Sequence, residues 1–163
     1  MLTNRKTLRA LFISLFTLQF LLACTAQNIE GEQWIIFSAE YARENRFGSW
    51  LVADPGTLEY WSPTAADIHA LEEGLIPYLQ ANQDRFYGVE STAWESLEKY
   101  NRQYLGLILN EKKTIYANFF CESTHTDWKK DFIFVLDGGA CYFQFKYDPG
   151  TAEFFDLQVN GEG

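Results

Sequence analysis

The stretch QYLGLILNEKKTIYANFFC, Gln103 to Cys121, decides the fold class of this chain. Two apolar segments alternate with a period of two residues, and the polar NEKK between them has the composition of a turn. The stretch therefore predicts an antiparallel β-hairpin. One face of its second strand should carry Ile115, Ala117, Phe119 and Cys121.

Two further strands are predicted after this hairpin. CYFQFKY, which begins at Cys141, alternates in the same way and is followed by the turn tetrapeptide Asp148-Pro149-Gly150-Thr151. EFFDLQV comes after the turn. Simple alternation there places Phe155, Leu157 and Val159 on the face opposite Phe154, and the four segments together predict an antiparallel meander.

A helix is predicted before the strands. Ser62 is a cap candidate, and the proline after it would sit where a missing N–H costs least. Gly74 and Pro77 are expected to kink or shorten this helix. Its apolar stripe, at the 3.6-residue spacing of one helix face, consists of Ile68, Leu71, Leu75 and Tyr78.

A second, shorter helix is predicted where Thr92 and Glu95 form a capping box, with Trp94, Leu97 and Tyr100 on one face. Helices thus precede strands along the chain, which is the segregation of an α+β domain. The expected architecture has the N-terminal helices on one face of a twisted antiparallel sheet. Its order of elements is similar to cystatin-like and related α+β rolls, and folds of that shape host inhibitors, enzymes and binding modules alike.

The region from residue 34 to 60 is harder to assign. WIIFSAEYAR, from Trp34, fits either a helical face or a short buried strand. SWLVADPGTLEYW contains Asp54-Pro55-Gly56-Thr57 between two apolar pieces and is interpreted as a hairpin. Whether this region joins the main sheet is left open.

The N-terminal residues 1–23 have the organisation of an export signal. Three basic residues precede an apolar run from Leu11 to Ala23, which is shorter than the roughly 20 residues needed to span a bilayer. The run ends in Leu-Leu-Ala-Cys, which looks like a bacterial lipobox and predicts lipidation, palmitate included, at Cys24. The alternative is cleavage after Ala26, which would release a soluble periplasmic protein. By resemblance to Gram-negative lipoproteins, Thr25 in place of an aspartate favours the outer membrane.

The remaining chain is expected to form a lipidated tether at 24–33 and one domain at 34–163. Three of the 13 basic residues lie before Cys24, leaving 10 basic against 22 acidic residues and a net charge of −12. Such a chain repels phosphate backbones, so nucleic acid is excluded as a partner. The membrane, through the lipid on Cys24, is the expected contact.

Cys141 supports two interpretations. If the strand ending at Cys121 pairs antiparallel with the strand beginning at Cys141, the two sulfurs lie side by side, and an oxidising compartment favours a disulfide. Alternatively, Cys141 could be a nucleophile, with His125 as base and Asp137 or Asp127 orienting it. The disulfide is favoured, since no local signature of a cysteine enzyme is present.

Other chemistry has weaker support. Glu122, His125 and Asp127 could hold a metal, but one histidine among scattered acids is the usual content of a solvated loop. His69 has no partner suggested by the sequence. A general acid/base pair would have to come from Asp131, Asp137, Asp148, Asp156 and Glu153, and spacing selects none. No catalytic residue, metal or cofactor is predicted.

Aromatic side chains on the second face of the sheet are candidates for an interaction surface: Tyr116, Phe120, Tyr142 and Phe154. An open face of this kind could bind a partner or a carbohydrate. The alternative is that another helix or the N-terminal hairpin covers them.

Several motifs occur together: Trp61-Ser62-Pro63-Thr64, Arg102 to Gly106 (RQYLG), Asp137 to Phe143 (DGGACYF) and a closing Asn160-Gly161. In this set the chain resembles a group of uncharacterised bacterial lipoproteins that share W-x-P-T, R-Q-Y-x-G and D-G-G-x-C-Y-F. The resemblance covers roughly Trp61 to the C-terminus and implies an envelope location and a shared fold. It implies no activity.

The leading functional expectation is a non-catalytic, lipid-anchored module that binds an envelope protein, a peptide or a cell-wall component. A second expectation, suggested by the likeness of shape, is an inhibitor of a periplasmic or invading hydrolase that presents the loop 122–130. A third is a small hydrolase that uses carboxylates or His125, which would require a concave pocket.

Overall fold

The computed structural model describes residues 27–86, 93–121 and 127–161. It is an α+β structure with two α-helices, α1 (Ala39–Glu44) and α2 (Ala65–Ala81). Its strands are β1 (Ile29–Glu30), β2 (Trp34–Phe37), β3 (Glu59–Tyr60), β4 (Asn101–Leu109), β5 (Lys112–Phe120), β6 (Tyr142–Asp148) and β7 (Glu153–Val159). Within these ranges, no helix is long and apolar enough to cross a bilayer.

The seven described strands form one mixed sheet in the order β1-β2-β4-β5-β6-β7, and β3 pairs with the end of β4. The region 34–60 therefore does join the sheet. The expectation of a purely antiparallel sheet is wrong at one position, because β2 runs parallel to β4, with Trp34 opposite Arg102 and Phe37 opposite Leu105. A parallel pair needs a long crossover, and here the chain between β2 and β4 supplies it.

The β4–β5 hairpin forms as predicted, with a tighter turn than NEKK suggests. Asn110 and Glu111 both have positive φ, 50° and 65°. Two such residues between paired strands make the turn type whose twist matches a hairpin. The resulting register pairs Leu109 with Lys112 and continues to Asn101 opposite Phe120.

The β6–β7 hairpin also forms, but simple alternation fails in its second strand. The pairing shifts between Gln144 and Lys146, and Asp156 has a φ of 53°. This irregularity has the effect of a β-bulge, in which an extra residue changes the face on which the later residues of the strand lie. Phe154 and Leu157 consequently pack into the same core, on the side of α2, so the prediction that Phe154 lies on the second face is wrong.

Helix α2 does not end at Gly74 or Pro77. Thr64, not Ser62, is its N-cap. The Thr64 hydroxyl accepts a hydrogen bond from the Asp67 N–H, and the Asp67 carboxylate accepts one from the Thr64 N–H, which together make a capping box. The Ser62 hydroxyl instead accepts from the Ala39 N–H at 2.9 Å. The helix continues through Pro77 to Ala81. Its buried residues are Ile68, Leu71, Leu75 and Leu79.

The two helices lie on opposite faces of the sheet, not on one face as expected. The α2 side chains pack with Ile115, Phe119 and Phe143 in one core. Ala42 of α1 belongs to a second core with Leu105, Leu107 and other residues of the opposite face. Because β4 and β5 are covered on both faces, they carry long apolar runs.

Two predicted elements are replaced by 3₁₀ turns. Ser49–Leu51 and Pro55–Thr57 are short 3₁₀ segments, so the first Asp-Pro-Gly-Thr sequence does not connect a hairpin, and β3 after it pairs with β4. The second helix is absent: Ala93–Glu95 and Leu97–Lys99 are 3₁₀ turns. Thr92, its expected cap, lies outside the described residues.

The folded unit starts closer to the N-terminus than the sequence predicts. β1 pairs with β2, and the Asn28 side-chain oxygen accepts from the Ser38 N–H at 2.8 Å. The folded unit therefore begins near Asn28 instead of Trp34. The predicted leader and Cys24 lie outside the described residues, and the four residue steps from Cys24 to Asn28 can span at most about 14 Å.

Candidate functional site

The second face of the sheet is covered by residues 127–136, which we call the covering segment. Beneath it, Tyr116, Phe120 and Tyr142 are only 6%, 0% and 4% exposed. They pack against Trp128, Phe132, Ile133 and Val135 of that segment. These three aromatic residues therefore do not form the expected open interaction surface.

A row of side-chain amides crosses this face of the sheet. Gln103 of β4 lies opposite Asn118 of β5, Asn118 lies opposite Gln144 of β6, and Gln144 lies opposite Gln158 of β7. Four neighbouring strands thus contribute one amide each, and an amide both donates and accepts hydrogen bonds. We call these four residues the amide row.

The first half of the amide row holds the covering segment in place. The Gln103 amide donates to the main-chain oxygens of Trp128 and Asp131, and its oxygen accepts from the Ile133 N–H at 2.9 Å. Asn118 donates to the Ile133 oxygen at 2.8 Å and to the Gln103 oxygen at 3.0 Å. These bonds supply the polar partners that buried backbone requires.

The second half of the amide row is largely unused. Gln144 makes one long contact, 3.5 Å from its nitrogen to the Asn160 side-chain oxygen. Gln158 is exposed, and its amide has no hydrogen-bond partner in the part of the chain that the structure describes. Donors and acceptors at this end of the row are therefore available to a ligand.

A cleft of about 340 Å³ lies over this open half. Its walls include the aromatic rings of Trp50, Phe132 and Phe134, and its floor includes Asn118, Gln144 and Gln158. Trp50 is 41% and Phe134 55% exposed, with ring centres 5.0 Å apart. The volume lies at the lower end of the roughly 300–1,000 Å³ typical of small-molecule sites.

The cleft is electrically neutral. Among the described residues that line it there is no Asp, Glu, Lys, Arg or His. Tyr116 is the one lining residue that titrates, and burial raises the pKa of its hydroxyl to about 12, against a smaller lowering by a hydrogen bond with Trp50. Tyr116 is therefore uncharged at neutral pH, in a chain whose overall charge is strongly negative.

The disulfide lies beside this face. Cys121 and Cys141 are joined by an S–S bond of 2.01 Å, and the Cys121 N–H donates to the Cys141 oxygen at 3.0 Å. The antiparallel pairing of β5 and β6, with Phe120 opposite Tyr142, places them together. Cys141 is thus not a free thiol. His125, its supposed base, lies outside the described residues.

The sequence motifs contact one another in pairs. Trp61 donates its main-chain N–H to the Gly106 oxygen at 3.2 Å, and its indole N–H to the Leu107 and Thr114 oxygens. A Cβ at Gly106 would lie 2.2 Å from the Trp61 oxygen and 2.7 Å from Pro63. W-x-P-T and R-Q-Y-x-G therefore form one packing contact.

The glycine motif and the closing Asn160-Gly161 form a second such contact. Gly138 and Gly139 have positive φ, and the Gly139 N–H donates to the Gly161 oxygen at 3.0 Å. The Asn160 amide donates to the main-chain oxygens of Val135 and Asp137. These motif residues therefore hold the end of the covering segment against β7.

A polar cluster that sequence reasoning missed lies on the other face of the sheet. The Tyr104 hydroxyl donates to the Glu72 carboxylate, and Arg102 pairs with the same carboxylate at 3.3 Å. Burial, and then the charge of Glu72, raise the pKa of Tyr104 well above its usual value. A pocket of about 390 Å³ adjoins the cluster, lined mostly by apolar groups and by His69. In the sequence, the indication of this cluster is Glu72, an acidic residue beside the apolar stripe of α2.

The other candidate groups do not converge. His69 pairs with Glu73 at 3.3 Å on the exposed side of α2, and Asp127 pairs with Lys130. Asp156 pairs with Lys146, and Asp148 accepts from the N–H groups of its own turn. Asp131, Asp137 and Glu153 are exposed. Within residues 27–86, 93–121 and 127–161, no three His, Cys, Asp or Glu form a metal-binding group; Glu122 lies outside those ranges.

Comparisons with protein-family models, with characterised proteins and with solved structures give no match for this chain. The resemblance to bacterial lipoproteins stays a prediction from the sequence motifs.

Proposed function

We propose that this protein is a non-catalytic binding module of the bacterial cell envelope, anchored by lipid on Cys24, and that its binding site is the cleft over Gln144 and Gln158. The observation that carries the proposal is the open half of the amide row beneath exposed aromatic rings. A pocket with apolar walls and a few convergent polar groups is the usual form of a binding site.

The arrangement of reactive groups favours binding over catalysis. The cysteine that could have been a nucleophile is in a disulfide. Glu72 is the one carboxylate among the described residues that line the pocket of about 390 Å³. It already accepts a hydrogen bond from Tyr104 and forms an ion pair with Arg102. A carboxylate-based glycosidase normally uses two carboxyl groups across its substrate.

The short distance between Cys24 and the folded unit gives the anchor a structural consequence. With β1 paired to β2, the proposed lipid would hold the Asn28 edge of the sheet within about 14 Å of the membrane surface. The protein would then act on components close to the membrane. An envelope protein or a cell-wall component are the partners to test.

The anchor is tested by mass spectrometry of the N-terminal peptide of the mature chain. We expect a peptide that begins at Cys24 and carries acyl groups, and we expect the Cys24→Ala variant to be lost from the detergent-extractable membrane fraction. An unmodified peptide that begins at Gln27 would contradict lipidation.

The binding site is tested by co-sedimentation of the purified mature chain, in detergent, with isolated cell-wall sacculi and with envelope protein fractions. We expect binding to one fraction that Gln158→Leu weakens about tenfold. Gln80→Leu is the matched control, because Gln80 is an exposed amide on α2. Equal binding by the wild-type chain and Gln158→Leu would show that the cleft is not the binding site. Turnover of a generic ester or glycoside would contradict the proposal that the protein is non-catalytic.

A further inference from the structure

We propose that the ligand of the cleft is a neutral saccharide, with Gln158 and Gln144 bonding its hydroxyl or acetamido groups and Trp50 and Phe134 packing against its ring. This inference rests on the proposed function, since it names the ligand class of the same site. Its carrying observation is the juxtaposition of unused amides with exposed aromatic rings in a cleft without formal charges.

The neutrality of the cleft excludes ligands that need a countercharge. The mature chain has a net charge of −12, so acidic ligands are repelled at long range, and the cleft lining offers no cation to hold one. It also offers no carboxylate for a basic ligand. An uncharged ligand therefore fits the lining best.

The amides match a polyhydroxylated ligand. Each carboxamide supplies two donors and an acceptor oxygen, which suits hydroxyl groups that both donate and accept. Among the residues that the structure describes, neither the donors nor the acceptor of the Gln158 amide have a hydrogen-bond partner. The Gln144 amide makes one contact, of 3.5 Å, to Asn160. Asn118 directs both amide hydrogens to other partners, so its oxygen remains as an acceptor at the floor.

The aromatic walls match the apolar faces of a sugar ring. Trp50 packs on Phe132 and Phe134, with ring centres 5.2 and 5.0 Å apart, so its orientation is supported from the side. Axial C–H groups of a pyranose form an apolar face that packs against such rings, while the hydroxyls at its edge reach polar groups. The cleft volume of about 340 Å³ suits one or two sugar units.

A peptide is the competing ligand, and the sheet edge disfavours it. Extended peptides commonly add to an exposed edge strand, and β7 is an edge strand of the described sheet, next to the cleft. The bulge at Asp156 interrupts that edge, and Glu153 and Asp156 place acidic side chains along it. Bulges and charges of this kind oppose strand addition.

The test is isothermal titration of the purified mature chain, in detergent, with a neutral tetrasaccharide of N-acetylglucosamine as the probe. We expect saturable binding that Gln158→Leu and Trp50→Ala each weaken by about tenfold or more. Trp50→Tyr, which keeps a ring, should restore most of the affinity, and Gln80→Leu should leave it unchanged. Circular dichroism verifies that each variant folds, which is expected because Trp50 and Gln158 lie at the surface.

Three results would overturn the saccharide proposal. One is no heat of binding with this probe while Gln158→Leu still weakens binding to envelope protein fractions about tenfold, in which case the proposed function stands and the ligand class is wrong. Another is tighter binding of a neutral tripeptide probe in competition with the saccharide. The last is equal weakening by Gln80→Leu and Gln158→Leu, which would place the binding elsewhere on the chain.

Discussion

Asn118 on β5 donates a hydrogen bond of 3.0 Å to the side-chain oxygen of Gln103 on β4, and both amides then bond the backbone of the covering segment. Two residues on neighbouring strands thereby hold a segment without regular structure over Tyr116 and Phe120. The remaining amides, Gln144 and Gln158, continue the same row but do not bond the covering segment. The amide row therefore has a half that the covering segment closes and a half that is open.

Asn118→Leu should release the covering segment. The substitution removes two hydrogen bonds and leaves the Ile133 oxygen without its partner, so we expect the free energy of unfolding to fall by about 2–3 kcal/mol. Urea denaturation measures this loss, and binding of a hydrophobic dye should rise as Tyr116 becomes exposed. Gln144→Leu is the control, because that amide makes one contact of 3.5 Å, and a loss as large as that of Asn118→Leu would contradict the division of the row.

The disulfide should stabilise the fold through the loop that it closes. Cys121 and Cys141 are 20 residues apart, and a loop of this length corresponds to about 3 kcal/mol. We expect the double variant Cys121→Ser, Cys141→Ser to lose about this amount in urea denaturation, and reductant to destabilise the wild-type chain equally while leaving the double variant unchanged. Two reactive thiols in the unreduced mature protein would show that the bond does not form.

Stability should decrease at alkaline pH through Tyr116. Its pKa is about 12 in the folded chain against 10.0 in the unfolded chain, because burial disfavours the phenolate. The protonated hydroxyl thus contributes its full stability below pH 10, and that contribution disappears as the pH rises towards 12. Tyr104, whose pKa is also raised, adds to the same decline.

Tyr116→Phe should reduce the slope of unfolding free energy against pH by up to about 1.4 kcal/mol per pH unit between pH 10 and 12. Urea denaturation at several pH values measures the slope, and absorbance at alkaline pH follows tyrosine ionisation. Identical slopes for the variant and the wild-type chain would mean that Tyr116 titrates normally.

Gly106→Ala should be strongly destabilising. The new Cβ would lie 2.2 Å from the main-chain oxygen of Trp61, and that backbone cannot move without breaking the Trp61 N–H bond to the Gly106 oxygen. We expect a loss of more than about 3 kcal/mol by thermal and urea denaturation. Gly161→Ala is the matched control, since among the described residues no atom beyond its chain neighbours lies within 4 Å of its Cβ position, and comparable losses for both would refute the packing explanation.

The sequence predicted both Asp-Pro-Gly-Thr turns, but it did not predict which of them connects paired strands. Asp54 and Asp148 begin the same Asp-Pro-Gly-Thr sequence, and each accepts a hydrogen bond from the glycine N–H two residues on. At Asp148 the turn connects two paired strands, while near Asp54 the preceding residues form a 3₁₀ turn. A turn brings two segments near each other, and partners elsewhere in the fold decide whether they pair.

The predicted second helix does not form for a similar reason. Trp94, Leu97 and Tyr100 have helical spacing, yet short segments gain little from helix propagation, and tertiary packing decides their conformation. Phe154 was misplaced because alternation assumes an uninterrupted strand, and the bulge at Asp156 violates that assumption. The Glu72 cluster was hidden because its members are distant in sequence.

By itself, the sequence determined the existence of strands β4 to β7, the Ile68, Leu71 and Leu75 stripe of α2, the α+β class and the nearness of Cys121 to Cys141. Those features depend on alternation, helical spacing and turn residues, which act over a few neighbours. The tertiary structure alone decided the parallel β2–β4 pair, the covering of Tyr116 and the alignment of Gln144 with Gln158. These depend on contacts between distant segments and on one bulge, whose free energy comes from packing that local sequence does not encode.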